Sequence, residues 1–118
     1  MRPIAKTTSV FLAVAICLLA APVSAQSALS GEQLQSIVAG QTFDGRNGMM
    51  RATISYGVDG SLEVHAMMRT MTGRWWIEGD TLCADMPEGP RAGQGCGQLV
   101  ANGDGTYLSP NGMVLTRR

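Results

Sequence analysis

Two runs of alternating apolar and polar residues constrain the fold of this 118-residue chain more than any other feature. Residues 50–56 and 62–69 each place apolar side chains on one face and mainly polar side chains on the other, as half-buried strands do. Residues 57–61 between them suit a three-residue hairpin loop with Gly60 in the left-handed conformation. This loop predicts four apolar cross-strand pairs: Tyr56 with Leu62, Ile54 with Val64, Ala52 with Ala66, and Met50 with Met68. Turn chemistry and hydrophobic pattern therefore predict the same register.

The stretch 73–83 predicts a second hairpin, because a Gly-Asp turn separates two short strand-like runs there. Trp75 and Leu82 supply large apolar side chains to the core. Trp76 follows Trp75 directly, so it is expected to point outward on the opposite face.

Further short runs complete a predicted sheet. A turn is expected at 70–73 and one long loop at 85–95. The eight predicted strands are 41–43, 50–56, 62–69, 74–78, 81–84, 96–101, 106–109 and 113–117. Short strands joined by Gly, Asp and Asn turns favour a mainly β fold, an antiparallel up-and-down meander of seven to eight strands that forms a small barrel or a strongly curved sheet.

A short helix is predicted ahead of the sheet. Ser30 and Gln33 stand at capping-box spacing, and Leu29 and Leu34 stand at hydrophobic-staple spacing. Gly40 suits the left-handed residue that ends a helix. So short a helix is stable only when its apolar stripe packs on another element, so it is expected to plug or flank the sheet.

The first residues have the pattern of a secretory signal peptide. Arg2 and Lys6 precede the apolar run 10–21, and small residues lead to a predicted cleavage site after Ala25. The alternative is a lipoprotein signal at Cys17, but an isoleucine precedes that cysteine where such signals carry a small residue. No second long apolar run follows, so we expect a periplasmic or secreted protein without a stable membrane anchor. The predicted divisions are signal peptide 1–25, N-terminal segment with the helix 26–39, and disulfide-stapled β domain 40–118.

The charge of the mature chain excludes one class of partner. The nine basic and nine acidic residues of the whole chain balance, but Arg2 and Lys6 leave with the signal peptide. The mature chain then has seven arginines and nine acidic residues. A mildly acidic protein without a clustered basic patch is not expected to bind nucleic acid or an anionic membrane surface.

Cys83 and Cys96 are the two cysteines that follow the signal peptide, and they are predicted to form a disulfide. A redox pair or a thiolate metal site is the alternative. The pair has no Cys-x-x-Cys spacing and no nearby histidine, which favours the structural bridge.

A set of spaced motifs carries a family resemblance. The motifs are Gly40-x-Thr42-Phe43-x-Gly45, Tyr56-x-x-Asp59-Gly60, Gly73-x-Trp75-x-Ile77-x-Gly79-Asp80-x-Leu82-Cys83, and the second cysteine Cys96. Over residues 40–118 this pattern resembles a family of small secreted proteobacterial β-domains, for which the resemblance implies a fold but no activity and no catalytic residues. The family carries a further aromatic residue just after the first cysteine, where this chain has Asp85 and Met86. The similarity to lipocalin-like barrels is architectural only.

Methionines and one histidine suggest copper as an alternative ligand. Thioether and imidazole groups select Cu(I), and His65 and Met67 lie close to Met68 in the sequence. The pleat, however, is expected to point Met50 and Met68 inward and the other two side chains outward. Methionine also packs readily in cores. We therefore expect core packing and no resident metal or cofactor.

Catalysis is not expected. His65 is the single histidine, and its predicted neighbours Ser55 and Glu63 on a sheet surface provide neither an oxyanion hole nor a cleft. The acidic residues fall in turns, where carboxylates usually bind backbone groups.

The sequence predicts a non-enzymatic binding protein that recognises a protein partner or a small apolar ligand. The predicted contact surfaces are the loop 85–95 and an outer face that contains Trp76, Arg51, His65 and Arg69. The alternatives are a periplasmic copper-binding protein with Met and His ligands, and a small hydrolase.

Overall fold

A computed structural model describes residues 26–88 and 92–118 of the chain. The predicted signal peptide and its cleavage site lie outside the described residues. In chain order the elements are β1 (Ser27–Ala28), α1 (Gly31–Val38), β2 (Thr42–Asn47), β3 (Met50–Tyr56), β4 (Ser61–Ala66), β5 (Arg69–Glu78), β6 (Thr81–Met86), β7 (Gly93–Gly97), β8 (Val100–Ala101), β9 (Thr106–Leu108) and β10 (Val114–Arg117). The described residues thus form ten strands, so the prediction of seven to eight was too low.

The ten strands form one antiparallel sheet, in the order β1-β8-β9-β10-β2-β3-β4-β5-β6-β7. β7 lies at one edge, and β8 is second from the opposite edge. Only Gln98 and Leu99 separate the end of β7 from the start of β8. An extended chain covers at most about 11 Å over three residues. The sheet must therefore curl until its ends approach, and it forms a strongly curled half-barrel. The predicted mainly β, antiparallel class is confirmed.

The hairpin of β3 and β4 has the predicted register. Tyr56 pairs with Leu62 and Ile54 pairs with Val64. Gly60 has the expected positive φ, at 89°. The ladder ends where Thr53 faces His65, so the two other predicted pairs lie beyond it.

The turn after β4 differs from the prediction. It lies at Met67 and Met68, whose φ values are 51° and 62°, and not at residues 70–73. Met68 is therefore 95% exposed, although alternation predicted that it would point inward. Gly73, which suggested a turn, lies inside β5, where a Cβ would overlap the carbonyl oxygen of Asp85. A glycine is needed at this position because β5 and β6 pack closely there, and not because the chain turns.

The predicted strand 96–101 and the predicted loop 85–95 were both wrong in their bounds. The glycine-rich segment before Cys96 belongs to β7, and Cys96 pairs directly with Cys83 of β6 in the ladder and in the confirmed disulfide. The strand breaks at Leu99, because the chain crosses there to the other end of the sheet. Leu99 is fully buried, and its carbonyl accepts a hydrogen bond of 2.9 Å from the backbone N–H of Leu29.

The helix forms where it was predicted and closes one end of the half-barrel. Ser30 caps it with both hydrogen bonds of a capping box. The backbone N–H of Gly31 donates to the Asp80 carboxylate in the β5–β6 turn, at 2.7 Å. Leu34 and Val38 are fully buried in the core beneath. The apolar stripe of α1 therefore acts as a plug.

Two strand glycines, one in β5 and one in β7, give a matched test of this packing. We expect Gly73→Ala to lower the free energy of unfolding by about 1–3 kcal/mol, because the new methyl group meets the backbone of Asp85. Gly95→Ala is expected to leave it unchanged or raise it slightly, because nothing lies within 4 Å of a Cβ there. Urea unfolding of both variants measures this, and equal midpoints would contradict the packing argument.

The turns at Asp59 and Asp104 predict a pH effect. Hydrogen bonds from the Ser61 hydroxyl and backbone N–H lower the pKa of the Asp59 carboxyl, and Thr106 lowers the pKa of Asp104 in the same way. A lowered pKa in the folded state stabilises the fold at neutral pH, and this contribution is lost as the pH falls through the folded pKa. We expect Ser61→Ala to raise the pKa of Asp59 towards its ordinary value in an NMR titration. The pKa of Asp104 serves as the internal control and should not move.

Candidate functional site

The concave side of the half-barrel encloses an open cavity of about 490 Å³. It exists because alternation turns every second residue of β3 to β6 towards the inside. Most lining side chains are apolar, among them Ile54, Leu62, Val64, Met71, Leu82 and Met86.

Small residues keep this cavity open. Ala52, Ala66 and Ala84 all belong to its lining, and their side chains end one carbon from the backbone. At the plugged end larger side chains fill the interior, and Phe43, Leu34 and Leu99 there are fully buried. The inner face is thus filled beside α1 and hollow where these alanines lie.

Four exposed methionines lie at the end of the half-barrel opposite α1. The β2–β3 turn and the β4–β5 turn both lie at the end opposite α1, since the strands are antiparallel. Met49 is 100% exposed, Met50 41%, Met67 63% and Met68 95%. Met50 and Met67 also line the cavity. We call these four residues the methionine rim.

One ion pair lies at the mouth. Arg69 and Glu88 are 3.4 Å apart at their closest N and O atoms, and both side chains are about 60% exposed. Glu88 is the single acidic residue in the described lining, which contains no lysine, arginine or histidine. A solvent-exposed pair of this kind contributes little stability. The cavity interior beyond it is uncharged.

Tyr56 lies at the plugged end of the cavity and is only 7% exposed. Its ring makes edge contacts with Phe43 and Trp75, with centroid distances of 5.9 and 5.6 Å. Burial raises the pKa of its hydroxyl to about 12. No described residue forms a hydrogen bond with that hydroxyl, whereas the Trp75 indole N–H donates to the carbonyl of Gly57 at 2.7 Å.

Of the predicted contact residues, the structure brings Arg51 and His65 together. Both line a groove on the outer face, where Nδ1 of His65 lies 2.9 Å from the Thr70 hydroxyl. Arg46 joins them, because it pairs directly with Arg51 across β2 and β3. Sequence reasoning missed Arg46 because β2 was expected to end at Phe43. The Asp44–Arg46 alternation is the signal that could have found it.

The other two contact residues lie elsewhere. Arg69 pairs with Ala66 in the ladder and lies two residues before Met71 in β5. It is therefore on the inner face of the sheet with Met71, and not on the outer face. Trp76 points outward as predicted, is half-buried, and donates from its indole N–H to Glu78 at 2.6 Å. The four residues therefore do not form one surface, and a contact role for each stays a prediction.

The described residues hold one cluster of three potential His, Cys, Asp or Glu metal ligands, namely Glu78, Cys83 and Cys96. Its two cysteines are bonded to each other, so they offer no thiolate. Of the predicted Met and His ligands, His65 and Met67 line the same outer-face groove, whereas Met68 lies in the β4–β5 turn and is 95% exposed.

No protein-family model, curated protein or solved structure matches the chain. The resemblance to small secreted β-domains therefore stays a prediction. The disulfide is consistent with an oxidising compartment. Within residues 26–88 and 92–118, no helix has the length and apolar character needed to cross a bilayer.

Proposed function

We propose that the protein is a non-enzymatic binding protein that holds a small apolar ligand inside the half-barrel. The observation that carries this proposal is the apolar cavity of about 490 Å³ with an open mouth. Its volume falls in the range of small-molecule sites, which is roughly 300–1,000 Å³. Flexible methionines at the mouth suit the entry of apolar molecules of varied shape.

The charge distribution supports an uncharged ligand. The carboxylate of Glu88 is at the mouth and already bound by Arg69. Burying an isolated charge deeper inside would cost far more than burying a neutral group. The single histidine, His65, lies on the outer face, which supports binding as opposed to catalysis. We further propose that the protein is exported, on the basis of its signal-like N-terminus and its disulfide.

A series of methyl ketones of increasing chain length tests the cavity. Burial of each added methylene contributes about 0.8 kcal/mol of binding free energy, so affinity is expected to rise about fourfold per methylene until the cavity is full. Calorimetric titration measures this slope. Affinity that does not depend on chain length, or no binding along the whole series, would overturn the proposal.

A cavity-filling variant provides the matching control. Ala84→Leu adds bulk to the lining and is expected to weaken ketone binding at least tenfold while the protein stays folded. Ala28→Leu makes the same change at an exposed site in β1, and it should bind as the unmodified protein does. Equal affinities of the two variants would show that ligands bind outside the cavity.

Copper binding is a second candidate, and the methionine rim favours it. Four exposed thioethers on two adjacent turns offer the soft ligands that Cu(I) prefers. We expect replacement of all four rim methionines by leucine to abolish a Cu(I) adduct in native mass spectrometry, since leucine keeps the size and removes the sulfur. Replacement of the core residues Met71 and Met113 by leucine is the control. A copper adduct that survives loss of the rim would contradict this candidate.

A further inference from the structure

Tyr56 has a fixed position at the bottom of the cavity. It is the last residue of β3, while Met50 at the mouth is the first, so about 20 Å of strand separates them. The backbone carbonyl of Tyr56 accepts from Gly40 at 2.7 Å, and its N–H donates to the carbonyl of Gln41 at 3.0 Å. These bonds tie the residue to the segment that follows α1.

The ring of Tyr56 is as constrained as its backbone. Edge contacts with Phe43 and Trp75 hold the ring plane. The hydroxyl is left with rotation about its own C–O bond. With a pKa of about 12 it is protonated throughout the physiological range, so it keeps a proton to donate.

A buried hydroxyl without a hydrogen-bond partner destabilises a folded protein, and native structures rarely retain one. The neighbouring Trp75 shows the usual arrangement, because its indole N–H reaches the carbonyl of Gly57. No described residue accepts a hydrogen bond from the Tyr56 hydroxyl. The same residue lines the cavity. An acceptor on a ligand would therefore satisfy a donor that the described part of the fold leaves unsatisfied.

Building on the proposed ligand cavity, we propose that the Tyr56 hydroxyl determines specificity by donating a hydrogen bond to an uncharged oxygen at the leading end of the ligand. The ligand class is an apolar molecule that carries a ketone, ester or ether oxygen and enters that end first. A carboxylate does not fit, because the described lining contains no cation to balance it.

Two isosteric probes separate the oxygen from the apolar chain. Methyl octyl ketone carries the acceptor, and the alkene in which a CH₂ group replaces the carbonyl oxygen has the same shape without it. In Tyr56→Phe, ketone affinity is expected to fall about three- to tenfold, the range for one neutral hydrogen bond, while alkene affinity stays the same. Binding is followed by the change in tryptophan emission.

Two controls guard against a structural explanation. Tyr107→Phe changes a half-buried tyrosine outside the cavity lining and should leave both affinities unchanged. The unliganded Tyr56→Phe protein should be as stable as the unmodified protein or more stable, because it loses only an unsatisfied hydroxyl. A clear loss of stability would show that the hydroxyl already has a partner, which would overturn the inference.

The remaining outcomes distinguish failure of the inference about Tyr56 from failure of the proposed function. If Tyr56→Phe weakened ketone and alkene equally, or neither, Tyr56 would only shape the cavity, and the inference would be wrong while the proposed function stood. If neither probe bound the unmodified protein, the proposed function would fail, and the inference with it.

Discussion

The short link between β7 and β8 is the constraint on which the rest of the structure depends. Gln98 and Leu99 carry the chain from one edge of a ten-stranded sheet almost to the other. Two residues can span that gap only if the sheet curls, so the link converts a long meander into a half-barrel. Leu99 is fully buried at the crossing, which adds apolar burial to the closure. The concave inner face, and with it the cavity, is a consequence of this curl.

The distribution of side-chain size along the inner face then decides where the interior is solid. Helix α1 brings Leu34 and Val38 to one end, where they pack with the other buried residues of the core. Elsewhere along the inner face the inner positions of three strands include alanines, Ala52, Ala66 and Ala84, and space remains there. An apolar cavity with one open end is the physical basis for the binding function that we propose.

Local signals predicted the local structure well. The capping box at Ser30 and the turn at Gly60 specified their elements because nearest neighbours supply the hydrogen bonds. The errors came from glycines and methionines whose environment is set at long range. Gly73 read as a turn residue but fits a close approach between strands, and Met68 read as a core residue but lies in a turn. Neither cause is visible in a window of adjacent residues.

The sequence by itself determined the strand periodicity, the helix cap, the cysteine pair and the register of the β3–β4 hairpin, because each depends on residues close in the chain or on a single pairing. Only the tertiary structure decided that part of the interior is hollow and that Arg51 lies beside Arg46 but apart from Arg69. It also decided that Tyr56 combines burial with a hydroxyl to which no described residue offers a partner. These properties arise where strands distant in sequence curl around a common space, and the amount of space depends on all their side chains together.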